Sequence, residues 1–320
     1  MRKPLVVDLF SGAGGFARGF VEVGFEIGLA VDCDDACTRS YKANFPSAIV
    51  LCEDIKELSG KDIVYLLGRA PEVVIGSPPC EPFTGANPNR AKDPLDRLYS
   101  DPMGTLTLDF IRIVGELKPK IFVMENVPAI MEGPLKSALE KEFRSVGYDK
   151  VFFNVLRAED YGTPSHRVRV FISNVPIKPK PIRKKITVGE ALRDLPPPGT
   201  SEIPNHDPPP LSDRKLRRIA GVRRGQALYH YEGSEGRKLP NYIRLDPRRI
   251  APTVLGSSRF IHPYEHRLLT VREQARLMGF PDDHVFLGGR DQQYNQVGEA
   301  VPPPLAKAIA SYILENYLGD

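Results

Sequence analysis

A chain of 320 residues with 41 % hydrophobic and 26 % charged side chains has the balance of an ordinary globular protein, long enough for one large domain or two unequal ones. No apolar run approaches the roughly 20 residues a membrane-spanning helix needs, and Asp8 interrupts the opening apolar stretch too early for a secretion signal, so a cytoplasmic protein is expected. Four cysteines, Cys33, Cys37, Cys52 and Cys80, are too few for a disulfide framework, and the Cys33/Cys37 spacing has no second ligand pair, which points to free thiols and no metal site.

In chain order, residues 1–175 alternate short apolar runs with segments of helical period, the pattern of an α/β domain built on a parallel sheet. A strand at 5–10 runs into Ser11-Gly12-Ala13-Gly14-Gly15 and then a helix at 15–23, so the glycines can form the tight turn of a nucleotide site. A second strand at 25–31 delivers Asp32 about 20 residues after that turn, where a carboxylate can accept hydrogen bonds from both ribose hydroxyls. A helix at 35–44 and a strand at 48–51 follow, and Asp54 is placed to receive an amino hydrogen of adenine. The same arrangement serves NAD, but the spacing is not Gly-x-Gly-x-x-Gly and nothing singles out a pyrophosphate.

The fourth strand, 73–76, leads into Ser77-Pro78-Pro79-Cys80-Glu81-Pro82, where prolines stiffen the backbone around one thiol. A lone cysteine is more often a buried small hydrophobe than a catalyst, and its neighbours decide the matter. A helix at 105–117 buries Leu106, Phe110, Ile113, Val114 and Leu117 on one face, and the strand at 121–125 ends in Glu125 on the same sheet edge as Cys80. After a helix at 135–146 and a strand at 151–156, Arg167 and Arg169 open the strand at 169–173 with a spacing of two, which puts both on one face. The loop at 81–103 is long and starts at the thiol, as expected of a lid.

Net charge is only +4, yet residues 176–249 hold 17 Lys and Arg against 8 Asp and Glu, a net +9 that leaves −5 for the rest. With weak periodicity and two Pro-Pro-Pro runs, this stretch reads as a small irregular domain at 176–260 that meets a polyanion. Arg217, Arg218, Arg223, Arg224, Arg244, Arg248 and Arg259, with Arg90 in the lid, are its candidate contacts; His262 and His266 read as surface or capping residues. Helical period returns at 270–278 and 305–317, within a segment at 261–320 expected to pack back on the first domain.

Taken together, DLFSGAGG at 8–15, SPPC at 77–80, ENV at 125–127, RVR at 167–169, the block from Leu269 through Arg276-Leu277-Met278-Gly279-Phe280-Pro281, and QVGEAV at 296–301 resemble the cytosine-C5 DNA methyltransferase family of restriction-modification systems. The resemblance covers nearly everything but the basic segment. It implies a Rossmann-like sheet with helices on both faces, a target-recognition domain at 176–260, S-adenosylmethionine as methyl donor, double-stranded DNA as substrate, a monomer, and a cognate restriction endonuclease as a companion. It implies that the Cys80 thiolate adds to cytosine C6, that Glu125 holds N3 and the exocyclic amine, that Arg169 contacts O2, and that Arg167 orders the loop and a nearby phosphate. Phe10 then lies against the cofactor, with Asp32 on ribose and Asp54 on adenine; Ser11, Gly12, Gly14, Gly15, Cys33, Ile55, Pro78, Glu299, Ala300 and Val301 complete that site. The target base has to leave the helix stack, because a thiol cannot reach C6 in a duplex.

Three positions depart from the family pattern: Glu81 stands where glutamine is common, Ser165 where glutamine opens the arginine motif, and Glu299 where asparagine is usual. Glu81 is expected to raise the Cys80 pKa. Two alternatives stay open at this point, a transfer-RNA cytosine methyltransferase and a catalytically silent DNA-binding relative.

Overall fold

A computed structural model describes residues 2–319. Seven strands form the central sheet: β1 (Leu5–Leu9), β2 (Glu26–Asp32), β3 (Ile49–Cys52), β4 (Val73–Gly76), β5 (Ile121–Asn126), β6 (Phe152–Arg157) and β7 (Val168–Ser173), in the spatial order β3-β2-β1-β4-β5-β7-β6. β1 to β5 pair in parallel, as the alternating pattern predicts, but β7 runs antiparallel to both β5 and β6. A hairpin connection rather than a crossover helix joins β6 to β7, and only a crossover can return a strand in the same direction. All five residues of β1 are buried, as a strand covered on both faces requires.

Consecutive strand residues feed opposite layers. Val6, Val73, Ile121 and Phe171 pack with Phe16 and Phe20 of α1 (Gly15–Val23) and with Leu305 and Ile309. Val7, Val74, Phe122 and Ile172 face Ile63, Phe110, Val114, Leu139 and Phe143 on the other side. α2 (Asp35–Asn44) is capped by Asp34, whose side chain accepts from the Cys37 amide at 2.9 Å. α3 (Gly60–Leu67) lies outside the predicted elements, although Ser59 and Asp62 give it a reciprocal capping box. The 81–103 loop holds a short helix, α4 (Pro94–Tyr99), before α5 (Leu106–Leu117); α6 (Leu135–Ser145) completes this face.

The basic segment is more regular than its weak periodicity suggests. α7 (Val188–Leu192) and α8 (Asp213–Ala220) precede β8 (Ala227–Glu232) and β9 (Lys238–Arg244), which form a second, three-stranded sheet with β10 (Phe260–Ile261). α9 (Val271–Leu277), α10 (Arg290–Glu299) and α11 (Pro303–Ile313) follow. Val188, Leu245, Val254 and Phe260 share one apolar cluster with Leu269, Leu277, Phe286, Tyr294 and Val297. No helix among the described residues is long and apolar enough to cross a membrane.

A candidate active site on the carboxyl edge of the large sheet

The ends of β1, β2 and β3 build the first half of the site. The expected strand end at Phe10 is instead a turn: Phe10 has φ 55°, a left-handed conformation rare for a side chain of its size. Gly14 follows at φ 88°, and a Cβ there would run into the ring of Phe45, so the turn admits only glycine. The Ser11 amide donates to Val31 O at 3.1 Å and the Gly12 amide to Asp32 Oδ2 at 2.8 Å, while the Asp34 amide donates to Asp32 Oδ1 at 3.0 Å. Burial still raises the Asp32 pKa against these bonds. Buried His284 sits under the turn, 2.9 Å from Ala13 O, and burial pushes its pKa down to about 3, so it is neutral.

Asp54 and Ile55 lie at the end of β3, next to Asp32 and Cys33 through the pairing of Asp32 with Cys52. Cys33 and Asp54 are exposed, Ile55 and Pro78 buried. Glu299, the last residue of α10, and Ala300 and Val301 after it pack on the glycine turn, where Val301 O and the Ala300 methyl leave no room for a side chain at Gly15. Ser11 Oγ is buried without a hydrogen-bond partner, and nothing of the protein lies within 4 Å of where a Gly12 Cβ would be. An orphaned hydroxyl beside open backbone is what a bound ligand completes.

The charge of this cleft selects among ligands. Asp32, Asp34 and Glu81 each act on Glu299 through space, and Arg167, the cation that acts on it, has both terminal nitrogens turned to backbone carbonyls. A pyrophosphate would be repelled by this set, which argues against NAD. A nucleoside that carries positive charge fits it.

The second half comes from β4, β5 and β7. Cys80 is half-buried; Phe83 and Thr84 amides both donate to its carbonyl, at 3.0 and 2.9 Å, so the stiff loop turns back on itself. The Asn126 side chain donates to Pro78 O at 3.1 Å and ties this loop to β5. Glu125, only 4 % exposed, points its Oε1 to within 3.0 Å of Arg169 Nε, yet off the line of a hydrogen bond, so that oxygen is buried and unsatisfied. Burial, helped by Glu81 and Glu125 and opposed by Arg169 and Arg167, pushes the Cys80 thiol up to about 11, in the direction expected from Glu81. No group of three or more His, Cys, Asp or Glu among the described residues is placed to hold a metal.

Arg167 is wholly buried; its guanidinium donates to Val254 O (3.0 Å), Gly298 O (2.9 Å) and Glu299 O (3.4 Å). It therefore binds three stretches of chain together instead of reaching for a phosphate, which corrects that part of its expected role. Glu159 takes the Arg167 amide at 3.2 Å and His166 Nδ1 at 3.0 Å.

The candidate DNA contacts divide sharply. Arg217, Arg218, Arg223, Arg224 and Arg248 are exposed, with Arg218 over the Tyr229 ring at 4.6 Å and bonded to its hydroxyl at 2.8 Å. Arg244 is not available to DNA. Its side chain bonds Val222 O, His262 O, Glu265 O, Ile219 O and His266 Nδ1, so all five of its N–H donors are matched inside the protein. Arg259 is partly engaged, its terminal nitrogens bonding Gly256 O, Ser258 O and Asp291 above the Tyr294 ring. Arg90, with its side chain 6 % exposed, bonds Phe83 O and pairs with Glu132 and Glu235, the latter in the β8–β9 turn. His262 is buried rather than on the surface and accepts from the Glu265 amide at 3.1 Å.

Two partners escaped the sequence reading. Asn126 was within reach, standing inside the ENV motif. Glu132, which anchors both Arg90 and Arg97 (2.7 Å), carries no pattern that distinguishes it from any surface acid.

Comparison with known proteins supplies the frame for this geometry. The family model for C-5 cytosine-specific DNA methylase matches residues 5–315. A chain assigned as the type II methyltransferase M.MJ0563P of Methanocaldococcus jannaschii is 49 % identical over 96 % of this chain and 98 % of that one. The type II methyltransferase M1.HphI of Haemophilus parahaemolyticus is 37 % identical over 97 % of this chain and 86 % of its own. Among solved structures, a chain assigned as a DNA modification methyltransferase encoded in an Escherichia coli prophage superposes with a TM-score of 0.81 at 26 % identity, covering 99 % of this chain and all of that one. With its cofactor turn, proline-framed thiol and buried glutamate on one sheet edge, the chain belongs to the C-5 cytosine-specific DNA methylase family.

Proposed function

We propose that this enzyme transfers a methyl group from S-adenosylmethionine to C5 of a cytosine turned out of duplex DNA, by way of a covalent bond to Cys80. The observation that carries the reading is a thiol beside a buried glutamate oxygen that has no hydrogen-bond partner, both next to an anionic nucleoside cleft. The cofactor supplies a methyl group made electrophilic by its sulfonium.

The protein's own residues do the rest. Cys80 Sγ as thiolate gives an electron pair to C6 and forms the S–C6 bond; the C5–C6 π pair becomes the new bond from C5 to the methyl carbon. Glu125 would meet N3 and the exocyclic amine, and its Oε1, ion-paired with Arg169 but without a hydrogen bond, would gain one when the base arrives. Arg169, which donates to Val168 O at 2.8 Å and pairs with Glu125 at 3.0 Å, would contact O2. Loss of the C5 proton to a base or water returns an electron pair to C5–C6, and the S–C6 pair leaves with Cys80. A half-buried Cys80 would meet its cytosine only if the base leaves the stack.

Exposed Arg217, Arg218, Arg223, Arg224 and Arg248 would meet the DNA backbone. The type II names of the relatives favour a companion endonuclease of the same sequence specificity, and the reading takes the working unit as a monomer.

Duplex DNA carrying 5-fluorocytosine tests the chemistry, because fluorine cannot leave C5 as a proton does. With S-adenosylmethionine the native protein should give a denaturant-resistant adduct, and Cys80→Ser should give none. An adduct that survives Cys80→Ser, or label that enters transfer RNA and never DNA, refutes the proposal.

A further inference from the structure

Among the acids of the cofactor cleft, Glu299 has no part in the transfer chemistry and no partner of its own. Glu299 ends α10, and its position is set from two sides: Arg167 bonds Gly298 O and Glu299 O, and the Glu299 carboxylate lies so close to Gly256 that a Cβ at 256 would come within 2.7 Å of Oε1. Its side chain is reached by water, yet it stands deep among protein atoms, as on the floor of an open cleft. No hydrogen bond or ion pair engages this carboxylate among the described residues. The charged groups that act on it are Glu81 from the loop after β4, Asp32 from the end of β2, Asp34 from the cap of α2, and Arg167 from the residue just before β7. Glu299 thus shares the electrostatic field of Asp32 and of Glu81, the residue after Cys80, and it directly precedes Ala300 and Val301, which pack on the glycine turn at Gly15. The unpartnered Ser11 Oγ marks the same cleft independently as a ligand site.

We infer that Glu299 is a specificity residue that reads the positive charge on the cofactor sulfur, holding the methyl donor and releasing the demethylated product. This rests on the proposed reading of the cleft as the S-adenosylmethionine site. When the methyl group leaves, sulfur keeps the bonding pair and becomes a neutral thioether, so besides the lost methyl volume the change that a carboxylate such as Glu299 senses is the loss of one positive charge. A neutral amide at this position would carry no charge with which to make this distinction; a carboxylate does. Repulsion by its neighbours fits the assignment. Burial, then Glu81 and Asp32, push the Glu299 pKa up to about 7, so the empty cleft carries this group partly protonated. An arriving sulfonium draws it into its ionised form and expels the proton; the product leaves it free to take the proton back.

Titration calorimetry of the full chain with S-adenosylmethionine and with S-adenosylhomocysteine, each in phosphate and in Tris at pH 7, decides the matter without any turnover. The native protein should release on the order of half a proton on binding the methyl donor and none from this group on binding the product. Glu299→Gln should remove that release and weaken the donor on the order of tenfold, with the product unchanged or tighter. Glu299→Asp, which keeps the charge, should retain the preference for the donor. Equal weakening of both ligands in Glu299→Gln, or proton release that persists in it, overturns the inference while leaving the cofactor site intact. A native protein that binds neither ligand overturns the reading of the cleft itself.

Discussion

The carboxyl edge of the large sheet and the exposed face of the basic segment differ in charge, and they differ also in what their charged residues are for. At the sheet edge Asp32, Asp34, Glu81 and Glu299 crowd one cleft, and burial raises Asp32 and Glu299 toward neutrality. In the basic segment the charges split by depth: Arg217, Arg218, Arg223 and Arg248 stand in solvent, while Arg244 has every donor inside. A cationic small molecule and a polyanion approaching the same protein are thus sorted by field before any contact is made. The difference teaches that net charge locates a ligand-facing region, whereas hydrogen-bond accounting tells which of its residues reach the ligand.

The hardest blow to this division should come from inside the basic segment. Arg244→Met removes the donors of four backbone carbonyls and should destabilise the fold by about 3 kcal/mol, measured by urea unfolding. Should the stability hold and only DNA affinity fall, Arg244 is a DNA contact after all and the split by depth is wrong. A milder and opposite result is expected from Arg217→Ala with Arg218→Ala. Unfolding should barely change, while the slope of log affinity against log salt concentration should shrink by roughly 1.8, about 0.9 for each lost phosphate contact. An unchanged slope would place the DNA elsewhere.

The smallest effect belongs to the cleft. Glu81→Gln removes a negative charge beside Cys80, so the thiol should ionise at lower pH, and the pH profile of its alkylation by iodoacetamide should move down by about 0.5 to 1 unit. The sign follows from a carboxylate that opposes thiolate formation; a profile that moves up would mean that Glu81 has another partner.

Most of the sheet was legible because strands buried on both faces write themselves as continuous apolar runs, as in Leu5-Val6-Val7 and Val73-Val74-Ile75. The direction of β7 was not, since side-chain pattern carries no polarity. α10 was missed for a related reason: Arg290-Asp291-Gln292-Gln293 is polar throughout, and tertiary burial of Tyr294 and Val297 supplies what periodicity does not announce. The candidate site was legible where the residue type itself carries the chemistry, a thiol after prolines or an acid at a strand end. Arginine is different. The same side chain anchors three segments at 167, braces a small sheet at 244 and stands free at 217, and only the local count of available carbonyls separates these fates.

The packing of Val301 and Ala300 on the turn at Gly15 has a consequence for how the protein comes to be active. These two pieces lie almost the whole described chain apart, so closing the contact demands a very long loop and falls among the slowest steps of folding. Until it closes, the turn lacks its outer wall and Glu299 is not at its post. On the proposed reading of the turn as the cofactor site, tight donor binding should first appear during refolding with the completed fold rather than with an early intermediate.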